Sequence, residues 1–334
     1  MTFPRRSVLL GGLALPMLGA RRAQAAESVR IGQAVPALSF LPLWAARAYD
    51  TFGPAGLALT WAAIPGGDPA ALAALDAGDI DLAAVGSDTA LLAISKGQPF
   101  LMVYSLMSKM SLQVVASDAL LKRTGVGPKD PLRKRIGALK DAIIGVSAIG
   151  GTQDRVARWV AAQGGLDPKT GVQVAMVGSP PAIQAALENG RIDAFVLSPP
   201  EAGLAEAHGY GTLLIDPDAD FPQLHGLPNL VLAVKRNPDA AAVKRIKATI
   251  VAMQQGARDV TAHPDAAADR IQAKFFAKIP QPIMRAAVHS LLDGLAGGGR
   301  FTPTNVAVLT RFSAQTGMPV PATKDYWTNR FIAA

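Results

Sequence analysis

The segment 66–93, GGDPAALAALDAGDIDLAAVGSDTALLA, returns 112 residues later as 178–205, GSPPAIQAALENGRIDAFVLSPPEAGLA, without a gap. Twelve of the 28 positions are identical, and they include glycine, proline, isoleucine and aspartate, so the match is more than shared alanine content. Self-similarity at a fixed offset is the sequence signature of a repeated structural unit. The chain is therefore predicted to contain two copies of one fold.

The two copies extend upstream of this segment. Ile31-Gly32 corresponds to Ile144-Gly145, and the segment 56–59 corresponds to 171–174. Within each copy, short apolar stretches alternate with helical ones: the pattern predicts helices at 42–49 and 153–163, and strands at 58–64, 81–85, 172–177 and 193–197. Alternating strands and helices indicate a mainly parallel sheet with helices on both faces. Because Asp81 and Asp193 recur at equivalent strand starts, we expect both to be structural.

Two such sheets predict an α/β protein of two hinge-linked lobes. The strands that cross between lobes are predicted at 112–116 and 230–234, which assigns 26–111 and 237–334 to lobe 1, and 112–236 to lobe 2. Helices are predicted at 240–261, 264–276 and 282–295, followed by a tail at 327–331 that packs back across lobe 1. Ligands bind beyond the carboxyl ends of the strands in open α/β sheets, so two facing sheets predict one cleft between lobes.

The first 25 residues have the pattern of an export signal. Arg5 and Arg6 precede a short apolar stretch at 8–20, and a small-residue cleavage motif ends at Ala25. The paired arginines resemble the twin-arginine signal, although ordinary secretion is not excluded. Removal of this segment would lower the formal net charge from +8 to +4, because it carries four arginines and no acid. A periplasmic location is expected.

Composition excludes several classes of protein. The chain has no cysteine, which rules out disulfides, thiolate metal sites and cysteine nucleophiles. Its four histidines show no metal-ligand spacing, and no metal or cofactor is expected. Basic residues cluster only at 122–140, without the stacking aromatics of a nucleic-acid surface, so we predict a solvated face and no nucleic-acid partner.

A family resemblance covers roughly residues 31–205. Pro42-Leu43-Trp44-Ala45-Ala46, the segment 52–57, the paired glycines at 66–67 and 164–165, and the repeated Gly-x-Ile-Asp at 78–81 and 190–193 resemble solute-binding proteins of aliphatic-sulfonate, taurine and nitrate ABC importers. Their fold is shared by pyrimidine-synthase-like proteins. The resemblance implies the type II periplasmic-binding-protein architecture, a monomer, a small-molecule ligand in the cleft and an inner-membrane permease as partner.

The resemblance also implies binding without chemistry. The pyrimidine-synthase and sulfinate-cleaving relatives depend on cysteine, which this chain lacks. The sequence therefore predicts a receptor that binds a sulfonate-, taurine- or pyrimidine-like solute and is not an enzyme. A periplasmic sensing subunit is the main alternative, and an enzyme on the same fold is the remaining one.

The repeat predicts which residues line the cleft, because loops after the first and third strands of each copy lie at its edge. The candidate ligand-binding residues are Ser39, Phe40, Leu41, Ser87, Asp88, Thr89, Gly150, Gly151, Thr152, Gln153, Ser198, Pro199 and Glu201.

These candidates leave two alternatives open. Gly150 to Gln153 opens a helix whose N-terminus can hold an anion, although Thr152 can equally serve as its N-cap. Asp88 and Glu201 can accept from a ligand with an amine or N–H group, yet Ser198 to Glu201 also reads as a capping box with Glu201 at N3. Two carboxylates in the cleft would disfavour a divalent oxyanion, and a ligand with donor groups is expected.

Overall fold

A computed structural model describes residues 26–323 and 325–333 of the chain, so the predicted export signal lies outside the described residues. The first copy contains β1 (Glu27–Gln33), α1 (Leu41–Ala48), β2 (Leu57–Ala63), α2 (Gly67–Ala77), β3 (Leu82–Gly86) and α3 (Ser87–Ser95). The second contains β6 (Ile143–Val146), α6 (Thr152–Gln163), β7 (Gln173–Met176), α7 (Pro180–Glu188), β8 (Ala194–Leu197) and α8 (Glu201–His208). The predicted α/β alternation is confirmed.

Further strands complete the two sheets, with short helices between them. They are β4 (Phe100–Met107), β5 (Gln113–Ser117), α4 (Asp118–Thr124), α5 (Leu132–Gly137), β9 (Gly211–Ile215), α9 (Pro217–Asp220) and β10 (Leu230–Lys235). The strand orders are β2-β1-β3-β10-β4 and β7-β6-β8-β5-β9. In each sheet the first three strands of a copy are parallel, and the crossing strand, β10 or β5, runs antiparallel between its neighbours.

Sheet membership corrects the predicted boundary of lobe 2. β10 pairs with β3 and β4, so 230–235 belongs to the first sheet and not, as predicted, to the second lobe. The chain therefore returns to lobe 1 before Leu230. The backbone N–H and C=O groups of β10 find their hydrogen-bond partners in β3 and β4. Buried Asn229 ties the two crossings together: its carbonyl accepts from the Ser87 amide at 2.9 Å, and its Nδ2 donates to Ser111 at 3.0 Å.

Most of the C-terminal part is helical, with α10 (Ala240–Ala262), α11 (Pro264–Phe275), α12 (Gln281–Leu291), a 3₁₀ turn (Leu292–Leu295) and α13 (Pro303–Gln315). α1, α10, α11 and α12 bury one face of the first sheet. The tail packs on lobe 1 as predicted, because the Met102 amide and carbonyl bond to Tyr326 and Thr328. α13 reaches further, since Gln315 accepts from the Trp159 indole of lobe 2 at 3.0 Å.

The glycine of each repeated Ile-Gly pair leaves room for an isoleucine side chain to pack directly against the strand. A Cβ at Gly32 would lie 2.6 Å from Ile80 Cδ1, and a Cβ at Gly145 would lie 2.5 Å from Ile192 Cδ1. Ile80 and Ile192 are themselves equivalent positions of the repeat. The repeat therefore conserves a packing contact within the chain, and not only an element order.

The start of α8 differs from the predicted capping box. The helix begins at Glu201 with Pro200 as N-cap, after a cis Pro199-Pro200 bond, and no side chain caps it. Ser198 is therefore not the N-cap, and the capping-box interpretation is wrong: the two prolines hold the chain outside helical geometry until residue 201. The Glu201 carboxylate instead accepts from Gln184 Nε2 at 2.6 Å, and burial raises its pKa above the usual value.

Substitution of Gly145 by alanine is expected to lower the free energy of unfolding by about 1–3 kcal/mol, because the new methyl group overlaps Ile192. Urea denaturation measures the change. Gly137→Ala is the matched control: its Cβ would meet nothing within 4 Å, and its stability should be unchanged or slightly higher. Equal stability of both variants would contradict the packing argument.

Glu201→Gln is expected to raise the melting temperature at pH 7. A carboxyl whose pKa is raised by folding stabilises the fold when protonated, and this contribution is lost as the pH rises through the folded pKa. The advantage of glutamine should therefore disappear below the pKa of the unfolded chain. Melting curves from pH 3 to 8 test this, with the exposed Glu188→Gln as control. A pH-independent difference would contradict it.

Candidate functional site

A small cavity lies between the two sheets, beyond the carboxyl ends of their strands. About 40 Å³ of it is open to water, which is room for roughly three water molecules at about 10–15 Å³ each. Both lobes and both crossing segments supply its walls: Val35, Ala37, Ser39, Phe40, Gly67, Asp68, Ser111, Leu112, Ser147, Ala148, Gly151, Thr152, Gln153, Ser198 and Leu230. The cleft predicted from the repeat is therefore present, with the lobes close together.

One side of the cavity is apolar. Lobe 1 contributes Val35, Ala37 and the ring of Phe40, which is 1% exposed and precedes α1. The crossing segments add Leu112 and Leu230. These side chains provide a dry wall against which the carbon part of a small molecule can pack, since burial of apolar surface is favourable.

The opposite side is a cluster of hydrogen-bond donors at the start of α6. The first amides of a helix have no intrahelical acceptor and carry partial positive charge. The Ser147 amide donates to Gln153 Oε1 at 2.6 Å, which fixes the side-chain amide and leaves its Nε2 without a partner in the described chain. Ser147 Oγ is buried and also has no partner there. Such an unsatisfied hydroxyl is costly unless a ligand or water completes it.

Asp68 of α2, in lobe 1, also lines the cavity, but its carboxylate oxygens already accept several hydrogen bonds. Oδ1 accepts from the Gly86 amide at 3.0 Å, and Oδ2 accepts from the amide and hydroxyl of Thr152 at 3.2 and 3.0 Å. The Thr89 hydroxyl is a further donor at 3.3 Å. Because these donors come from both lobes, Asp68 acts first as a link between them.

The predicted site residues divide into two groups. Six line the cavity, namely Ser39, Phe40, Gly151, Thr152, Gln153 and Ser198; seven do not, namely Leu41, Ser87, Asp88, Thr89, Gly150, Pro199 and Glu201. Leu41 is packed in the core around α1 and α10. Asp88, Thr89 and Gly150 all accept hydrogen bonds from Arg155, a residue that the sequence analysis did not single out.

Several lining residues escaped prediction for an identifiable reason. The predicted site comprises only the loops after the first and third strands of each copy, yet Gly67 and Asp68 follow the second strand. All strands of a parallel set end at the same edge of the sheet, so this loop was an equally good candidate. Ser147 follows β6 directly, but the paired glycines of the segment Gly150 to Gln153 are the clearer sequence signal in the same loop. Ser111 comes from a crossing segment, whose placement sequence patterns do not give.

Most of the polar groups that line the cavity are neutral; the exception is Asp68, whose carboxylate oxygens already accept hydrogen bonds from Gly86 and Thr152. In the described chain no Lys, Arg or His side chain lines the cavity, and Arg155, the nearest cation on α6, is held by Asp88. An acceptor-rich head group would therefore meet the N-terminus of α6, the amide of Gln153 and several serine hydroxyls, and no full positive charge. The carboxylate of Glu201 lies outside this set.

None of the helices in the described residues is both long and apolar enough to cross a bilayer. Within the same residues, no group of three or more His, Cys, Asp or Glu side chains is arranged to hold a metal ion.

Comparison with known proteins agrees with this architecture. No curated protein matches the sequence significantly. Among solved structures, a protein of Bordetella bronchiseptica RB50 is 23% identical, with a TM-score of 0.76 over 92% of this chain and 96% of that one. The ligand-binding component of an ABC-type import system from Staphylococcus aureus, solved with zinc bound, is 16% identical, with a TM-score of 0.71 over 91% and 97%.

The alkanesulfonate-binding protein from Xanthomonas axonopodis pv. citri, bound to MOPS, is 18% identical, with a TM-score of 0.67 over 88% and 96% of the two chains. These likenesses confirm the predicted fold class. The profile of the NMT1-like family matches residues 22–274, which is most of the chain. The protein with the two repeated lobes and the donor-lined cleft therefore belongs to the NMT1-like family and has the periplasmic-binding-protein fold.

Proposed function

We propose that this protein is the extracytoplasmic solute-binding receptor of an ABC importer and that the cavity between its lobes is the ligand site. The observation that carries the proposal is the buried hydroxyl of Ser147, which has no partner among the described residues, in a cavity that also has the Gln153 side chain and an apolar wall. Unsatisfied polar groups in a cleft are rare in folded proteins, and a ligand that completes them explains their presence.

The ligand class follows from the two walls. Neutral donors and the N-terminus of α6 suit an anionic or acceptor-rich head group, while Phe40, Leu112 and Leu230 suit a short carbon body. This combination favours a small organic sulfonate over the amine-bearing ligands expected from the sequence. Asp88 and Glu201 do not line the cavity, and the oxygens of Asp68, which does, already accept hydrogen bonds from Gly86 and Thr152. The alkanesulfonate-binding structural neighbour has a ligand of this chemistry.

Delivery requires the lobes to separate. The cavity holds only a few water molecules, so an organic solute enters when the lobes move apart about the two crossing segments and is enclosed when they return. A ligand that touches both walls interacts better with the closed form and shifts the population toward it. The closed receptor is then presented to a permease; the Staphylococcus aureus neighbour is itself named as the ligand-binding component of an ABC-type import system.

Location and catalytic status complete the proposal. The pattern of the first 25 residues supports export to the periplasm, where the structural neighbours named as periplasmic proteins act. The lack of cysteine, and of any His or Lys among the described residues that line the cavity, supports a receptor without enzymatic activity.

A thermal-shift screen of the chain without its first 25 residues is expected to identify the ligand. Small alkanesulfonates without an amine should raise the melting temperature most, ahead of taurine, nitrate, pyrimidines and aromatic acids. A ligand at 100 times its Kd stabilises by about 2.7 kcal/mol. If no compound of any class shifted the transition, the receptor proposal would fail; a shift by pyrimidines alone would overturn the assignment of the head group.

Ser147→Ala is expected to weaken binding of the best ligand by about tenfold, because the lost hydroxyl completes one hydrogen bond to a charged group. The stability of the free protein should not fall, since that hydroxyl has no partner in the described chain. Isothermal titration calorimetry and melting curves measure the two effects. Ser179→Ala, at an exposed position of the same lobe, is the control and should bind normally. Normal binding by both variants would exclude Ser147 from the site.

A further inference from the structure

A buried ion pair joins the two lobes beside the cavity. Arg155 of α6 donates from Nε to the Asp88 carboxylate of α3, with side chains only 9% and 2% exposed. The same guanidinium donates to the Thr89 hydroxyl of lobe 1 and to the Gly150 carbonyl of its own lobe. Among the ion pairs of the described residues, this is the one in which both side chains are less than 10% exposed.

Thr152 reinforces the pair from the same helix. Its hydroxyl oxygen lies 2.5 Å from Asp88 Oδ1 and 3.0 Å from Asp68 Oδ2, and its amide donates to Asp68. One hydroxyl proton serves one carboxylate at a time, so the amide keeps Asp68 bonded when the hydroxyl turns to Asp88. The start of α6 is thus held by two acids of lobe 1.

The backbone of lobe 1 is shaped to admit this contact. A Cβ at Gly86 would overlap the Thr152 hydroxyl, although the φ of −63° at Gly86 suits any residue. Glycine is therefore required here by the approach of the other lobe, and not by the local conformation. A Cβ at Gly67 would likewise come within 3.0 Å of Ala148.

The free energy of these contacts depends on the angle between the lobes. With the lobes together, the loss of either charged partner leaves the other buried and uncompensated, which is strongly unfavourable. With the lobes apart, water solvates each group separately. Asp88, Thr89 and Arg155 do not line the cavity, so their contacts do not need a solute to complete them when the lobes are together.

We propose that Asp88, Thr89 and Arg155, with Asp68 and Thr152, form an interlobe latch that sets the equilibrium between open and closed lobes independently of the ligand. This goes beyond the proposed function, in which the solute alone drives closure. Thr152 couples the two, because it belongs to the latch and also lines the cavity. Breaking the latch shifts the ligand-free protein toward the open form.

The absence of cysteine makes the test direct, because two introduced cysteines are the only sites for spin labels. Thr60→Cys and Gln173→Cys place labels at exposed positions on the edge strands of the two sheets. Double electron–electron resonance on the ligand-free, labelled protein then measures the interlobe distance. Asp88→Asn and Arg155→Met should each lower the ratio of closed to open molecules by at least about tenfold. The double variant should open no further than the single ones.

Two control variants show whether a negative result is due to the latch or to the experiment itself. Arg158→Met removes an ion pair with Asp154 on the same helix but within one lobe, and the distance should not change. Gly86→Ala acts as a wedge against Thr152 and gives the distance of the open form. If the wedge opens the lobes but Asp88→Asn and Arg155→Met do not, the latch is excluded while the hinge survives. If even the wedge leaves the distance unchanged, the ligand-free lobes are not held closed by these contacts, and the latch is wrong.

Circular dichroism melting shows whether each variant is folded. Asp88→Asn preserves the shape of the side chain and keeps a hydrogen-bond acceptor for Arg155, so it provides the test if Arg155→Met fails to fold. An effect of Arg158→Met equal to that of Arg155→Met would also overturn the proposal, because the opening would then follow from general loss of charge on α6.

Discussion

The carboxylate of Asp68 joins the two lobes by hydrogen bonds. It accepts from Gly86 and Thr89 on its own lobe and from Thr152 on the other, and through Thr152 it is linked to Asp88 and Arg155. Helix N-termini carry donors that need acceptors, and here the acceptor for one lobe is supplied by the other. Lobe position and local helix structure are thereby coupled.

The two copies of the repeat are alike in fold and unlike at the cleft. Ile80 and Ile192 pack over equivalent glycines in both lobes. Asp68 and Asp88, in contrast, align with Pro180 and Pro200, so lobe 2 has no acids at the corresponding positions. Packing that every copy needs has been retained, whereas the residues that meet across the cleft have diverged, because each lobe faces the other and not itself.

The same asymmetry divides the cavity walls. Lobe 1 offers Phe40 and small apolar side chains, and lobe 2 offers Ser147, Gln153 and the start of α6. A ligand of the proposed class would therefore place its head against lobe 2 and its carbon body against Phe40 of lobe 1. Such a ligand would add its own contacts to the interlobe hydrogen bonds already present. The free energy of closure would then include contacts between the lobes and contacts with the ligand.

The sequence by itself determined the element order, the two sheets, the position of the cleft and six of its lining residues, because period, offset and strand ends follow from local patterns and chain topology. It did not determine that β10 returns to the first sheet, or that Asp88 faces Arg155 and not the cavity. Nor did it determine that α8 begins at Glu201, with Pro200 and not Ser198 as its N-cap. These features depend on which groups the two lobes bring together across a distance of many residues. Only the tertiary structure decides that, since a carboxylate at a strand end can serve a ligand, a helix or the opposite lobe with the same local sequence.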